Sequence, residues 1–308
     1  MTAARSLSAL LARGDAVLDG GFATELEARG HDLGDPLWSA RLLRDDPQAI
    51  EDVHAAYFAA GAEVAITSSY QATLEGFEAR GIEREEGARL LRLSVELARR
   101  ARERAGGAGL VVGSVGPWCV VRADGGEYTG DYEGVPDEAI AAVQRPRIAE
   151  LVAAGADAVA LETIPNAREA AVVSELLAEF PGVEAWLSFC CRDGERLSDG
   201  TPIEDAIRAA ARAGRVTAFG VNCTPPQHVA SLLGRARRAT DLPLVVYPNH
   251  GRAWNEATYT WSGVGVDRFA RELVTRWRAL GAAAIGGCCG IGPAAIADLA
   301  RTRPLRPA

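Results

Sequence analysis

Apolar residues recur along this chain in a fixed order. A short β-branched or small apolar run comes first, then a turn signal, then a stretch with apolar residues every three to four positions. The runs are AVLDGG (16–21), EVAITSSY (63–70), LVVGSVGP (110–117), AVALETIP (158–165), AWLSFCC (185–191), AFGVNC (218–223), LPLVVYPN (242–249) and AAIGGCC (283–289). Short runs of this kind, bounded by turn residues, predict buried strands. The segments between them have helical spacing, among them EEGARLLRLSVELARRARER (85–104), DEAIAAVQRPRIAELVAAG (137–155), DRFARELVTRWRALG (267–281) and PAAIADLAR (293–301).

Strands that are apolar on both faces and alternate with amphipathic helices indicate a parallel sheet covered by helices. Eight such units favour an α/β fold closed into a single (β/α)8 TIM barrel, with extended βα loops at its C-terminal face and one domain over residues 1–308. A doubly wound open sheet is the alternative. Against it, no G-x-G-x-x-G follows the first strand, and the even spacing leaves no domain break.

Composition then removes whole classes of chemistry. An apolar fraction of 48% over 308 residues is ample for a large core. With 33 basic and 41 acidic residues the net charge is −8, which offers no positive field to nucleic acid or anionic lipid. All 33 basic residues are arginine, so Schiff-base, pyridoxal-lysine and phosphate-loop lysine mechanisms are excluded. The opening segment, apolar around Leu10 and Leu11, is too short for a secretory core and reads as an amphipathic helix. No run is long enough to span a membrane. A cytoplasmic setting is expected, and there the six cysteines suit metal ligands, catalytic thiols or core fillers better than disulfides.

Chemistry in such barrels sits at the C-terminal strand ends. This places Asp19, Gly20 and Gly21 at strand one, Glu162 and Thr163 at four, Cys190 and Cys191 at five, Asn222 and Cys223 at six, Asn249 at seven, and Cys288 and Cys289 at eight. Strands six and eight are separated by one neighbour, so their ends lie about 10 Å apart, less where side chains converge on the axis. Cys223, Cys288 and Cys289 can therefore meet one zinc ion as thiolates, leaving its fourth tetrahedral position open. The glycines around the pair allow an irregular backbone that turns both sulfurs inward. Three thiolates suit such a site to holding a fourth, nucleophilic thiolate that attacks a methyl on a cationic sulfonium or ammonium. Two plainer readings stay open: GIGPAAI as a phosphate-binding loop, and buried cysteines as small apolar fillers. Cys190 and Cys191 lack flanking glycines and read as core, and Cys119 has no partner signal.

Asp19 in DGG is either a tight-turn residue or, with adjacent free backbone N–H groups, a holder of an amino acid's ammonium and carboxylate. Glu162, a carboxylate at a strand mouth, can orient an amine or face a cationic donor. Trp118, Tyr128, Tyr132, Trp254, Tyr259 and Trp261, with Tyr70 and Trp38, read mainly as loop anchors, any of which over the site could hold a sulfonium by cation–π attraction. His31, His54, His228 and His250 show no ligand spacing.

In order, DGGFATELEARG, DPLWSA, TSSYQAT, GSVGP, EYTGDY, ETIPN, GVNC, VVYPN and GGCCGIGP strongly resemble the homocysteine S-methyltransferases, in particular the short single-domain enzymes using S-methylmethionine or S-adenosylmethionine. The resemblance spans nearly the whole chain. It implies one zinc per chain held by Cys223, Cys288 and Cys289, and Asp19 and Glu162 binding the amino acid end of homocysteine. Gly20, Gly21 and Asn222 complete the expected substrate contacts. The expected reaction moves a methyl from the sulfonium to homocysteine, forming methionine. The same site using betaine or another small thiol, or a zinc- or thiol-binding barrel without turnover, are its alternatives. The loops GPWCVVRADGGEYTG and NHGRAW depart from the small residues usual in relatives, and they lie where the donor is expected.

Overall fold

Each predicted run contains a strand: β1 (Ala16–Val17), β2 (Val64–Ile66), β3 (Leu110–Val115), β4 (Ala158–Ile164), β5 (Ala185–Phe189), β6 (Ala218–Asn222) and β7 (Leu244–Tyr247). A short antiparallel hairpin follows, β8 (Ala253–Asn255) with β9 (Thr260–Ser262), and then the last barrel strand, β10 (Ala282–Ile285). This computed structural model describes residues 6–33, 38–122, 124–255 and 260–303, with the side chains of 38, 39, 253–255, 260 and 261 excepted. Trp38, Trp254, Tyr259 and Trp261, proposed above as loop aromatics, lie outside the described side chains.

The eight barrel strands pair in the order β1-β10-β7-β6-β5-β4-β3-β2, and every barrel pairing is parallel. A parallel bridge between Leu18 and Val64 brings β1 to β2, so the sheet closes on itself as a (β/α)8 barrel. Alternate residues of one strand serve two different cores. Val112, Ala158, Ala160, Trp186 and Val245 fill the barrel, whereas Val111, Val159, Leu187 and Val246 pack outward against the helices. Burial on both faces is why the runs read as continuously apolar rather than alternating.

The helices fall where the periodicity put them, with one shift. The helix predicted from 267 begins at Arg271, because Ala270 is extended (φ −59°, ψ 140°) and Phe269 packs on Trp277 instead of joining the helix. The opening helix Leu7–Ala12 lies across the barrel's N-terminal end, with Leu7, Leu10 and Leu11 in the same core as the barrel interior. Glu184 accepts the N–H groups of Leu7 (2.5 Å) and Ser8 (3.0 Å) and so ties that helix to the start of β5. Among the described residues no helix is long and apolar enough to cross a membrane.

Candidate metal centre

The ends of β6 and β10 converge through two backbone devices. Cys223, directly after β6, has φ +45°, in the left-handed region that non-glycine residues rarely occupy. The GGCCG segment after β10 is laced to its neighbours by Gly286 N–H to Val246 O, Gly287 N–H to Asp19 O and Cys288 N–H to Pro248 O (2.9, 3.0 and 2.9 Å). A methyl at Gly286 would sit 2.6 Å from Asp19 O, and one at Gly287 would sit 2.2 Å from the Ile291 side chain. Only Gly290, after both cysteines, adopts a positive φ (+82°), and there a methyl would strike the His250 ring. The two glycines before the cysteines are therefore required by close approach, and the left-handed turn comes after them.

The result is that the Sγ atoms of Cys223, Cys288 and Cys289 all lie within 4.8 Å of one another, those of Cys288 and Cys289 being 4.0 Å apart. Tetrahedral zinc with Zn–S near 2.3 Å needs sulfurs about 3.8 Å apart, a spacing that the Cys288–Cys289 pair already has and that Cys223 can meet only once its sulfur is released from Cys288. Cys223 and Cys288 are joined as a disulfide in this structure. This differs from the expectation of unpaired thiols; convergence of the two strand ends explains it, since their Cα atoms are 5.5 Å apart, within bridging range. Metal binding requires the reduced pair. Burial pushes the Cys289 thiol up to about 12, with the carboxylates of Glu127, Glu27 and Glu162 adding to the shift, so this mouth holds negative charge poorly without a cation.

Asp19 and Glu162 lie at strand ends, Asp19 after β1 and Glu162 in β4, the Asp19 carbonyl accepting Gly287 N–H of the cysteine loop. Both are buried, and burial raises both well above or above the usual carboxylate range. Asp19 Oδ2 accepts Ile66 N–H (2.7 Å), and the charge of Glu162 pushes Asp19 further up, while Asp19 Oδ1 is buried with no hydrogen-bond partner. Glu162 accepts the Ser114 hydroxyl in a short bond and also hydrogen-bonds Tyr247. A buried carboxylate oxygen without a partner, coupled to a second buried carboxylate, is chemistry that suits a cationic group.

Gly20, Gly21 and Asn222 each have contacts inside the protein. Gly21 N–H is not free for a substrate carboxylate, because it donates to Ile291 O (2.8 Å). A methyl at Gly20 would meet Ile291 O at 2.3 Å and one at Gly21 would meet Cys288 O at 2.6 Å, so both let the first strand end press against the cysteine loop. The Asn222 side chain is engaged inside the protein: Oδ1 accepts Thr163 N–H and the Ser188 hydroxyl (both 2.8 Å), and Nδ2 donates to Thr163 Oγ1 (2.7 Å). It clamps Thr163, whose φ of +61° is the other non-glycine left-handed conformation among the described residues. Asn222 thus sets the backbone beside Glu162 and Cys223.

Cys190 and Cys191 are buried, Cys190 with its thiol 3.8 Å from Cys223 O and Cys191 in the outer core. Cys119 is buried beside Tyr132 in a small satellite core. His250 packs as a loop contact, its N–H on Cys289 O (2.9 Å), while His54 is fully buried in the core. Sequence reasoning missed Ser114 and Tyr247. Both were findable by parity, since each lies two residues beyond an inward-facing valine, Val112 and Val245.

A closed parallel barrel with a three-thiol cluster and two buried carboxylates at its C-terminal mouth is an α/β scaffold whose thiols could hold a metal ion. The family model described as homocysteine S-methyltransferase matches residues 16–303, and the chain belongs to that family of methyltransferases. It is 46% identical to the homocysteine S-methyltransferase of Escherichia coli K12 over 95% of this chain and 97% of that protein. It is 43% identical to homocysteine S-methyltransferase YbgG of Bacillus subtilis, over 92% of this chain and 93% of the relative. The solved metallated form of the Escherichia coli homocysteine methyltransferase MmuM is similar with a TM-score of 0.85 and 45% identity, covering 96% of this chain and 99% of that one. Its oxidized form matches at 0.85 as well.

Proposed function

We propose that this chain transfers a methyl group from S-methylmethionine, or S-adenosylmethionine, to the sulfur of L-homocysteine, forming methionine, with one zinc held by Cys223, Cys288 and Cys289. The observation that carries the reading is the meeting, at one barrel mouth, of three sulfurs within 4.8 Å with two buried carboxylates, one of them with an orphaned oxygen. The chemistry that zinc supplies when held by these thiolates is to make a neighbouring thiol acidic enough to react as thiolate at neutral pH. Asp19 and Glu162 take the substrate's ammonium, which satisfies Asp19 Oδ1 and relieves the repulsion between the two carboxylates. Asn222, Gly20 and Gly21 act by holding the strand ends in place. The homocysteine sulfur forms a bond to the methyl carbon as the sulfonium C–S bond breaks, and that electron pair stays on the departing thioether sulfur. No proton need be delivered to the leaving group, so alignment of the two sulfurs about the methyl carries most of the catalysis.

The buried carboxylates Asp19 and Glu162 near these strand ends favour a positively charged donor, and the sulfonium reading also rests on the relatives' family. One domain over 1–308 and a cytoplasmic setting belong to the same proposal. Zinc quantification followed by a donor panel with homocysteine is the test. One zinc per chain and methionine formed from a sulfonium donor is the expected result. A zinc-free Cys288→Ala protein with full activity would sink the mechanism, and turnover only with betaine would sink the donor assignment.

A further inference from the structure

Behind the barrel wall lies a second polar cluster, whose hydrogen bonds run to residues other than Cys223, Cys288 and Cys289. Arg147, fully buried on the helix Asp137–Ala153, donates through Nη1 to Gly116 O (2.7 Å) and Gln144 Oε1 (2.8 Å). Through Nη2 it donates to Tyr70 O (2.6 Å) and Ser69 O (3.3 Å). Glu169, fully buried on the helix Ala167–Leu176, accepts Trp118 N–H (2.6 Å) and Gln144 Nε2 (2.9 Å) on one oxygen and the Tyr132 hydroxyl (2.6 Å) on the other. Gln144 bridges the two charges and also donates to Gly116 O (3.0 Å). Asn166, which caps the Glu169 helix, donates to Gly130 O (3.3 Å).

Most groups that this cluster binds belong to the two loops rising from β2 and β3. The second loop is tied toward the thiol site: Glu127 O accepts the Ser198 hydroxyl (2.7 Å) from the loop after β5, that hydroxyl lies 3.3 Å from Cys190 O, and the Cys190 thiol lies 3.8 Å from Cys223 O. Burial of a charged pair contributes little net stability, because desolvation offsets most of the attraction, so the distinctive product of this cluster is loop position. Zinc and homocysteine, by contrast, are assigned to residues on the ends of β1, β4, β6 and β10.

We propose that Arg147, Gln144 and Glu169 are positioning residues for the methyl donor, fixing residues 116–122 and 124–132 beside the thiol site from outside it. The inference rests on the methyl-transfer reading above. Its test uses the full-length zinc-loaded protein with Glu169→Gln and Tyr132→Phe, measuring KM for each substrate, zinc content, and amide hydrogen exchange across 116–132. Loss of hydrogen bonds to a buried charge is expected to raise the donor KM about tenfold in Glu169→Gln and about threefold in Tyr132→Phe. The homocysteine KM and zinc content should stay within about twofold, and exchange in 116–132 should quicken. Leu151→Ala, a core cut on the same helix as Arg147, should lower the melting temperature without changing the ratio of the two KM values. Equal rises in both KM values, no rise, or unaltered exchange in 116–132 would each overturn the proposal. If Glu169→Gln does not fold, the donor-only rise in Tyr132→Phe decides. If the wild-type protein transfers no methyl from any donor, the reading of function fails, and the exchange measurement still decides whether the cluster positions the loop.

Discussion

The two ends of the barrel are built on opposite principles. At the N-terminal end the helix Leu7–Ala12 drives Leu7, Leu10 and Leu11 into a dry interior of alanines, valines and Trp186, and its backbone N–H groups are taken by Ser6 and Glu184. At the C-terminal end the structure holds an orphaned carboxylate oxygen, two left-handed non-glycine residues, and glycines pressed closer than any side chain allows. The first end is satisfied without a ligand. The second keeps a buried polar atom unpaired and its backbone strained, the pattern of a site held ready at a cost in stability.

Their acids make the contrast quantitative in sign. Burial alone would raise Glu184, but the hydrogen bonds from Ser8, Leu7 and Ser6 outweigh it and hold Glu184 below its usual value. Its contribution is present above the unfolded-state pKa and is lost as pH falls through the folded one. Asp19 and Glu162, raised first by burial, behave in the opposite sense: they cost nothing at low pH and destabilise the ligand-free protein as pH rises from the unfolded value through the folded one.

The comparison can be broken at four points. Cys223→Ala should empty the thiol cluster and lower turnover by on the order of 10³-fold or more, with little change in melting temperature of the metal-free reduced protein. Retained turnover would show that the upper end does not work through its sulfurs. Asp19→Asn should raise the homocysteine KM by on the order of 10²-fold, the scale of a lost buried charge contact, yet increase the thermal stability of the ligand-free protein at neutral pH. A fall in both would mean that Asp19 is structural. At the other end, Leu7→Ala should cost about 2–4 kcal/mol in denaturant unfolding, with kcat and both KM values unaltered at 25 °C. A changed KM would tie the plug to the site. Smallest of all, Glu184→Gln should cost about 1 kcal/mol or less at neutral pH and flatten the fall in stability below the usual glutamate pKa, as followed by thermal melts across acidic pH.

Much of this was legible in the order of residues. Eight strand runs, the helical segments between them, and the placing of Cys223, Cys288 and Cys289 at one mouth all followed from periodicity, because strands buried on both faces announce themselves as unbroken apolar runs. The family followed from motifs such as GVNC and GGCCGIGP, and the family match agrees over residues 16–303. The roles of Gly20, Gly21 and Asn222 were not legible, because each depends on a residue distant in the chain. Ile291 O claims the Gly21 N–H, Cys288 O and Ile291 O leave no room for a Cβ, and Thr163 claims the Asn222 amide.

The sequence by itself determined the element order, the barrel, the absence of lysine chemistry and the gathering of Cys223, Cys288 and Cys289 at one mouth, since these depend on composition and on periods of two and 3.6 residues. Only the tertiary structure decided which N–H groups were already spent, which carboxylate oxygen was left without a partner, and that Arg147 and Glu169 grip the mouth loops from behind the wall. The physical reason is that hydrogen bonds and close backbone approaches are settled between strand ends and helices far apart in the chain, where local patterning carries no information.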